Sequence, residues 1–120
     1  MNILLIEDEL LIQKSLKLML EKRGAKVTTC NNGRDAIDKI ANHSFDRIIC
    51  DLMLNDITGF EIIEESKNKY NSEQISALFV IITAYSSKRI IDNAARYNCP
   101  ILSKPFEDIK MALDLFLREN

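Results

Sequence analysis

Asp51 closes the apolar run RIIC, residues 47–50, and three other short apolar runs end as abruptly on polar groups. ILLI leads into Glu7 and Asp8, ALFVII into Thr83 and Ala84, and IL into Ser103, Lys104 and Pro105. Three carboxylates, two alcohols and an ammonium are therefore offered at four separate places, too far apart in the chain to meet without folding. Two carboxylates about 4 Å apart repel by roughly 4 kcal/mol at an effective dielectric near 20. A cleft holding Glu7, Asp8 and Asp51 thus needs more positive charge than Lys104 supplies, and the two negative charges left over match one divalent cation. An all-oxygen ligand set of this kind favours Mg²⁺ over Zn²⁺. A carboxylate beside such a cation, a lysine and a hydroxyl has the parts needed to accept a phosphoryl group as an acyl phosphate, because that transfer depends on positioning and on neutralising the equatorial oxygens. Asp51, presented singly, suits the nucleophile; Glu7 and Asp8, presented as a pair, suit the metal.

The elements that must position these groups alternate regularly. Apolar runs at Ile3 to Ile6, Lys26 to Cys30, Arg47 to Cys50, Ala77 to Ile82 and Ile101 to Leu102 are rich in Ile and Val. Most lack the in–out alternation of a half-wet strand, which predicts a parallel sheet covered on both faces. Between them, Leu10 to Arg23 carries Ile12, Leu16, Met19 and Leu20 at helical spacing and stops at Gly24. Asn32 can cap a second helix that buries Ala36, Ile37 and Ile40. A third runs from Phe60 towards Lys69, a fourth starts at Ser86 or Ser87 and contains Ile90, Ile91, Ala94 and Ala95, and a last helix spans about Phe106 to Arg118. Five strands and five helices in strict alternation build an α/β doubly wound sandwich, whose ligands sit beyond the carboxyl ends of the strands. Those are the ends where the polar groups stand.

Composition removes several classes of function. One hundred and twenty residues with 47% hydrophobic content fit a single domain, residues 1–120. A net charge of −2 gives no basic excess for nucleic acid or an anionic membrane. The apolar runs fall far short of the ~20 residues of a membrane span, and the N-terminus enters a strand pattern without a signal-like segment, so a cytoplasmic protein is expected. Cys30, Cys50 and Cys99 are odd in number and lack CxxC spacing, which indicates reduced, buried thiols rather than a disulfide framework or a zinc site. Neither GxxxxGK nor GxGxxG occurs.

ED after ILLI, D in IICDLML, TA after FVII and KPF near the end, taken in this order and each at a strand end, resemble the receiver domain of two-component response regulators, over about Asn2 to Leu117. The resemblance implies a flavodoxin-like three-layer (βα)5 sandwich with strand order 2-1-3-4-5. It implies that Asp51 takes a phosphoryl group from the phosphohistidine of a histidine kinase or histidine phosphotransferase. Asp8, Asp51 and the backbone carbonyl of Met53 would bind Mg²⁺, with Glu7 acting through water. Thr83 and Lys104 would hold phosphoryl oxygens, and the Lys104–Pro105 peptide would be cis. The protein would then be a stand-alone switch rather than an enzyme with turnover. Its last helices offer a possible dimer contact.

Some positions depart from the family pattern. Asn55 stands where a proline is usual, which predicts altered loop stiffness, although Gly59 still suits the turn that follows. Ile101 replaces a common aromatic that takes part in switching, and Asn98 and Cys99 replace a Gly-Ala pair, Asn being tolerant of left-handed backbone. Met53 and Tyr85, each two residues beyond a site residue, occupy positions that in the family tune phosphoryl lifetime, which implies that the bulk of Tyr85 would hinder attacking water.

Rival readings are weaker. A small aspartyl phosphatase would carry DxD on its first strand, and an unphosphorylated scaffold would not need the full residue set. Alone, Asp51 would be an ordinary turn residue, and Thr83 and Lys104 would be unremarkable; their value lies in the combination. Cys50 should point away from Asp51 into the core, His43 in NHSFD should be a surface histidine, and Lys14, Lys17, Lys22 and Arg23 should form a solvated helix face. Leu10, Leu11, Met111 and Leu115 exceed what a core needs, and a contiguous patch of them would suit a docking partner.

Overall fold

The computed structural model describes residues 1–85 and 87–119. In chain order the elements are β1 (Asn2–Ile6), α1 (Leu10–Lys22), β2 (Lys26–Cys30), α2 (Gly33–Asn42), β3 (Arg47–Asp51), α3 (Gly59–Ser66), α4 (Ser72–Leu78), β4 (Phe79–Thr83), α5 (Lys88–Tyr97), β5 (Ile101–Ser103) and α6 (Ile109–Phe116). All strand pairings are parallel and the sheet order is β2-β1-β3-β4-β5, as expected.

The continuous apolar runs have a direct structural cause. Successive side chains of a strand enter opposite layers. Ile3, Leu5, Ile49, Val80 and Ile82 pack with Leu16, Leu20, Leu113 and Phe116 of α1 and α6, whereas Leu4, Ile6, Ile48, Cys50, Phe79 and Ile81 pack against α2, α3, α4 and α5. Both layers exclude water, so neither face of the central strands can be polar. Cys50 is fully buried in the second layer, away from the cleft, and all three cysteines are buried free thiols.

Several boundaries differ from the sequence reading. A sixth helix, α4, occupies residues 72–78, so Ala77 and Leu78 are helical and the fourth strand begins at Phe79 rather than Ala77. Its start is fixed by a reciprocal cap: the Asn71 side chain accepts from the Gln74 N–H and the Gln74 side chain accepts from the Asn71 N–H. Helix α6 begins at Ile109, not near Phe106, because Asp108 accepts from the Met111 N–H and so sets the N-cap. Helix α3 ends at Ser66, short of Lys69.

Other local expectations are met. Asn32 caps α2 through the Asp35 N–H, and Ser87 caps α5 through the Ile90 N–H; the alternative start, Ser86, lies outside the described residues. Asn98 ends α5 with φ 56°, the left-handed geometry that asparagine accommodates. His43 is exposed beside Phe45, and no described helix is long and apolar enough to cross a membrane.

Candidate functional site

Parallel pairing brings the polar strand ends together. Ile6 pairs with Cys50 and Asp51 pairs with Ile82, so the residues that follow or end these strands emerge at one edge of the sheet. Gly59, at the start of α3, lets the returning chain close on β3: a Cβ there would lie 3.0 Å from the Asp51 carbonyl and 3.1 Å from Leu52 Cα. The Gly59 N–H donates to the Leu52 carbonyl (2.8 Å), and Met53 bridges Thr58 across the same turn.

Lys104 is the centre of the charge arrangement. Its Nζ donates to Glu7 Oε1 at 2.8 Å and Asp51 Oδ2 at 3.1 Å, and Glu9 Oε1 lies 3.8 Å away. The Lys104 side chain is only 4% exposed and does not reach into bulk solvent. One carboxylate oxygen from each of Glu7, Asp8 and Asp51 lies within 4.8 Å of the other two. Glu7 and Asp8, neighbours in sequence, have unequal surroundings: Glu7 is fully buried, whereas Asp8 is partly exposed and lines the cleft.

Burial pushes the Glu7 carboxyl up to about 7, Asp51 adding to the effect and Lys104 opposing it. For Lys104, burial alone would lower the pKa, but Glu7 and Asp51 outweigh it and hold the ammonium above the ordinary lysine value. The cluster is thus an acid-rich cradle in which one buried cation cannot satisfy every carboxylate. An all-oxygen set at this spacing fits a hard divalent cation, and the donor chemistry found here suits Mg²⁺.

The cleft around Asp51 has a volume of about 390 Å³ and is walled by Asp8, Asn55, Tyr85 and Lys104 among others. A larger hollow of about 570 Å³ lies among Phe45, Tyr70, Leu78 and Glu119, at the opposite, amino end of the strands, away from the acid cluster. Met53 lines the Asp51 cleft and its N–H donates to Asp51 Oδ1 (3.2 Å). Thr83 is fully buried and is not part of the cleft wall; its hydroxyl donates to the Tyr85 carbonyl (3.1 Å) and accepts from the Tyr85 N–H (3.0 Å). The Lys104 N–H donates to the Thr83 carbonyl (2.7 Å), which ties these two strand ends together, and Lys104–Pro105 is cis.

A model of the response regulator receiver domain matches residues 3–115. The chain belongs to this family. The response regulator ArlR of Staphylococcus aureus is 39% identical over 85 residues, a match covering 71% of this chain and 36% of that protein. Receiver relatives of this kind are therefore longer, and this chain corresponds to about a third of their length. Among solved structures, the non-phosphorylated HemR receiver domain of Leptospira biflexa superposes with a TM-score of 0.84 at 23% identity, covering 99% of this chain and 96% of that one. The receiver domain of a Pseudomonas aeruginosa sensor histidine kinase, crystallised with magnesium in its active-site cleft, gives 0.79 at 24% identity, with 96% and 95% covered. Both share the receiver fold.

Several residues that shape the receiver cleft escape a motif reading. Gln13 of α1 donates through Nε2 to the carbonyls of Glu7 (3.0 Å) and Cys30 (3.2 Å), fixing the turn that carries the acid pair. Glu9 comes near Lys104 only because α1 begins immediately after it. Asp56 reaches α2 from the loop after Asp51. The type of each residue was plain in the sequence, but its partner was not.

Proposed function

We propose that this receiver domain, residues 1–120 taken as one unit, accepts a phosphoryl group on Asp51 from the phosphohistidine of a histidine kinase or histidine phosphotransferase in the cytoplasm. The observation that carries the reading is Lys104 Nζ, buried and 3.1 Å from Asp51 Oδ2, in a cluster that also gathers Glu7 and Asp8. An Asp51 carboxylate oxygen attacks phosphorus as the phosphorus–nitrogen bond breaks; the departing imidazole keeps the bonding pair and is protonated from solvent. Lys104 holds one equatorial oxygen, and the Thr83 hydroxyl, released from the Tyr85 carbonyl, donates to another. Asp8, Asp51 and the Met53 carbonyl would hold Mg²⁺, with Glu7 contributing through water. Bound there, the ion would neutralise charge on the transferring group.

On this reading the chain works as a switch rather than as an enzyme with turnover. The added phosphoryl group carries about −1.5 to −2 charge beside Thr83 and Lys104, which join β4 to β5, so its charge acts on α5, β5 and α6. Exposed Leu10 and Leu11 at the start of α1 suit the donor partner, and exposed Met111 on α6 suits a dimer or output contact. Tyr85, 62% exposed at the cleft, is placed to hinder water attack on the acyl phosphate.

Incubation with acetyl phosphate and Mg²⁺ should add a single phosphoryl group per chain by intact mass. Omission of Mg²⁺ or the substitution Asp51→Asn should abolish it. Undiminished labelling of Asp51→Asn would refute the assignment.

A further inference from the structure

The loop from Leu52 to Thr58 carries Met53 past the cleft, contains no proline, and is held at its base by the Met53–Thr58 bridge. Its tip is fastened elsewhere. Asp56 Oδ1 accepts from the Gly33 N–H at 2.8 Å and Oδ2 from the Arg34 N–H at 2.9 Å, the first two amides of α2. Oδ1 also accepts from the Ile57 N–H at 2.9 Å, which locks the carboxylate to its own loop. Contact between the two segments is so close that a Cβ on residue 33 would lie 2.3 Å from Ile57 Cγ1; glycine is what permits it.

Helix α2 has a local cap in Asn32, which serves the Asp35 N–H. Asp56 completes the set of unpaired amides with a negative charge at the positive end of the helix. The bonds are mutual, so the helix anchors the loop as much as the loop caps the helix. We propose that Asp56 is a positioning residue for the cation site: by clamping the loop tip to α2 it fixes the segment that presents the Met53 carbonyl. This rests on the reading of the cleft given above. The plainer role is that Asp56 only stabilises α2, and Lys69 provides the matched control. From beyond α3 its Nζ donates to the Ile40 and His43 carbonyls, both at 2.8 Å, capping the other end of α2 without touching the loop.

The test is calorimetric titration of the metal-free full chain with Mg²⁺, together with amide exchange of residues 53–59 in the absence of metal. Asp56→Ala should weaken Mg²⁺ about tenfold, the usual scale for residues that orient metal ligands, and should accelerate loop exchange. Asp56→Asn, which keeps Oδ1 for Gly33 and Ile57, should recover much of the affinity. Lys69→Met should lower the melting temperature yet leave Mg²⁺ affinity within about twofold, since it leaves the loop clamp in place. Native affinity and native loop exchange in Asp56→Ala would overturn the proposal, as would an equal loss in Lys69→Met. Should Asp56→Ala fail to fold, Gly33→Ala carries the test by driving a methyl group into Ile57: weaker Mg²⁺ is expected, and native affinity overturns the clamp. Absence of Mg²⁺ binding by the native chain would be a separate failure, of the cation site itself, visible before any variant is compared.

Discussion

On one side of Asp51, α2 is held at both ends by residues flanking α3: Asp56 takes the first amides and Lys69 the last carbonyls. On the other side, α5 is held at one end only. Its C-terminal turn is tied to α3 by the Tyr97 hydroxyl donating to Glu64 (2.9 Å) and by the stacking of Tyr97 on Phe60, and Ser76 of α4 donates to the Asn98 carbonyl (2.7 Å). Among the described residues, no side-chain hydrogen bond or ion pair joins residues 87–95 to another element. That free end is the one next to Thr83. The adjoining strand β5 has three residues, none of them buried, whereas every residue of β3 is buried. A switch needs both conditions: a metal and acceptor site that does not move, and a neighbouring face that can.

The largest effect should come from cutting the anchor of the second side. Arg47 is 3% exposed at the amino end of β3, and its guanidinium donates to the carbonyls of Ala77, Phe116 and Arg118, fastening α4 and the end of α6 to the sheet. Arg47→Met leaves these acceptors without their charged donor and should cost about 3 kcal/mol in chemical denaturation. Amide exchange should rise in Ile109–Phe116 more than in α2 or α3. Equal loosening of all three helices would show that the two sides are not independent.

A smaller difference should be visible in the native protein without substitution. The amides of residues 89–93 in α5 should exchange at least roughly tenfold faster than those of residues 36–40 in α2, a gap of about 1.4 kcal/mol in local opening. Protection as strong in α5 as in α2 would remove the asymmetry on which the switching argument depends.

How much of this was legible in the sequence depended on the range of the interaction. Strand ends were legible because an apolar run that stops on Asp51 or Thr83 is a local pattern, and so were the cap at Asn32 and, as one of two neighbouring serines, that at Ser87. The sheet order came through the resemblance rather than from any single run. Helix α4 was hidden by continuity of burial: Ile75, Leu78, Phe79 and Val80 are all core residues, so the hydrophobic signal does not break where helix becomes strand. The pair Asn71 and Gln74, spaced as a reciprocal cap, was the local sign of its start. Arg47, Gln13 and Asp56 were not legible in role, because each acts on backbone groups distant in the chain, and backbone acceptors and donors have no residue type to read.

The finest distinction between the two sides lies in how they respond to acid. The slight burial of Asp56 opposes its ionisation, but the amides of Gly33, Arg34 and Ile57 outweigh this and hold the carboxyl below the ordinary aspartate value. A carboxyl whose pKa is depressed by folding contributes stability above its unfolded value, near 3.9, and loses it as pH falls through the lower folded value. Asp56→Asn should therefore melt below the native protein by a constant margin above about pH 5, and the margin should shrink below about pH 4 as the native carboxylate is protonated. The contact between Tyr97 and Glu64 offers the counterpart on the α5 side: Glu64, held low by Lys67 and then by Tyr97, is exposed and bonded to side chains rather than to a helix end. Tyr97→Phe should thus show the weaker acid dependence, since it removes one exposed hydrogen bond and leaves the solvated Lys67–Glu64 pair in place. A margin for Asp56→Asn that persisted undiminished to pH 3 would mean that the carboxylate charge does not contribute to the clamp.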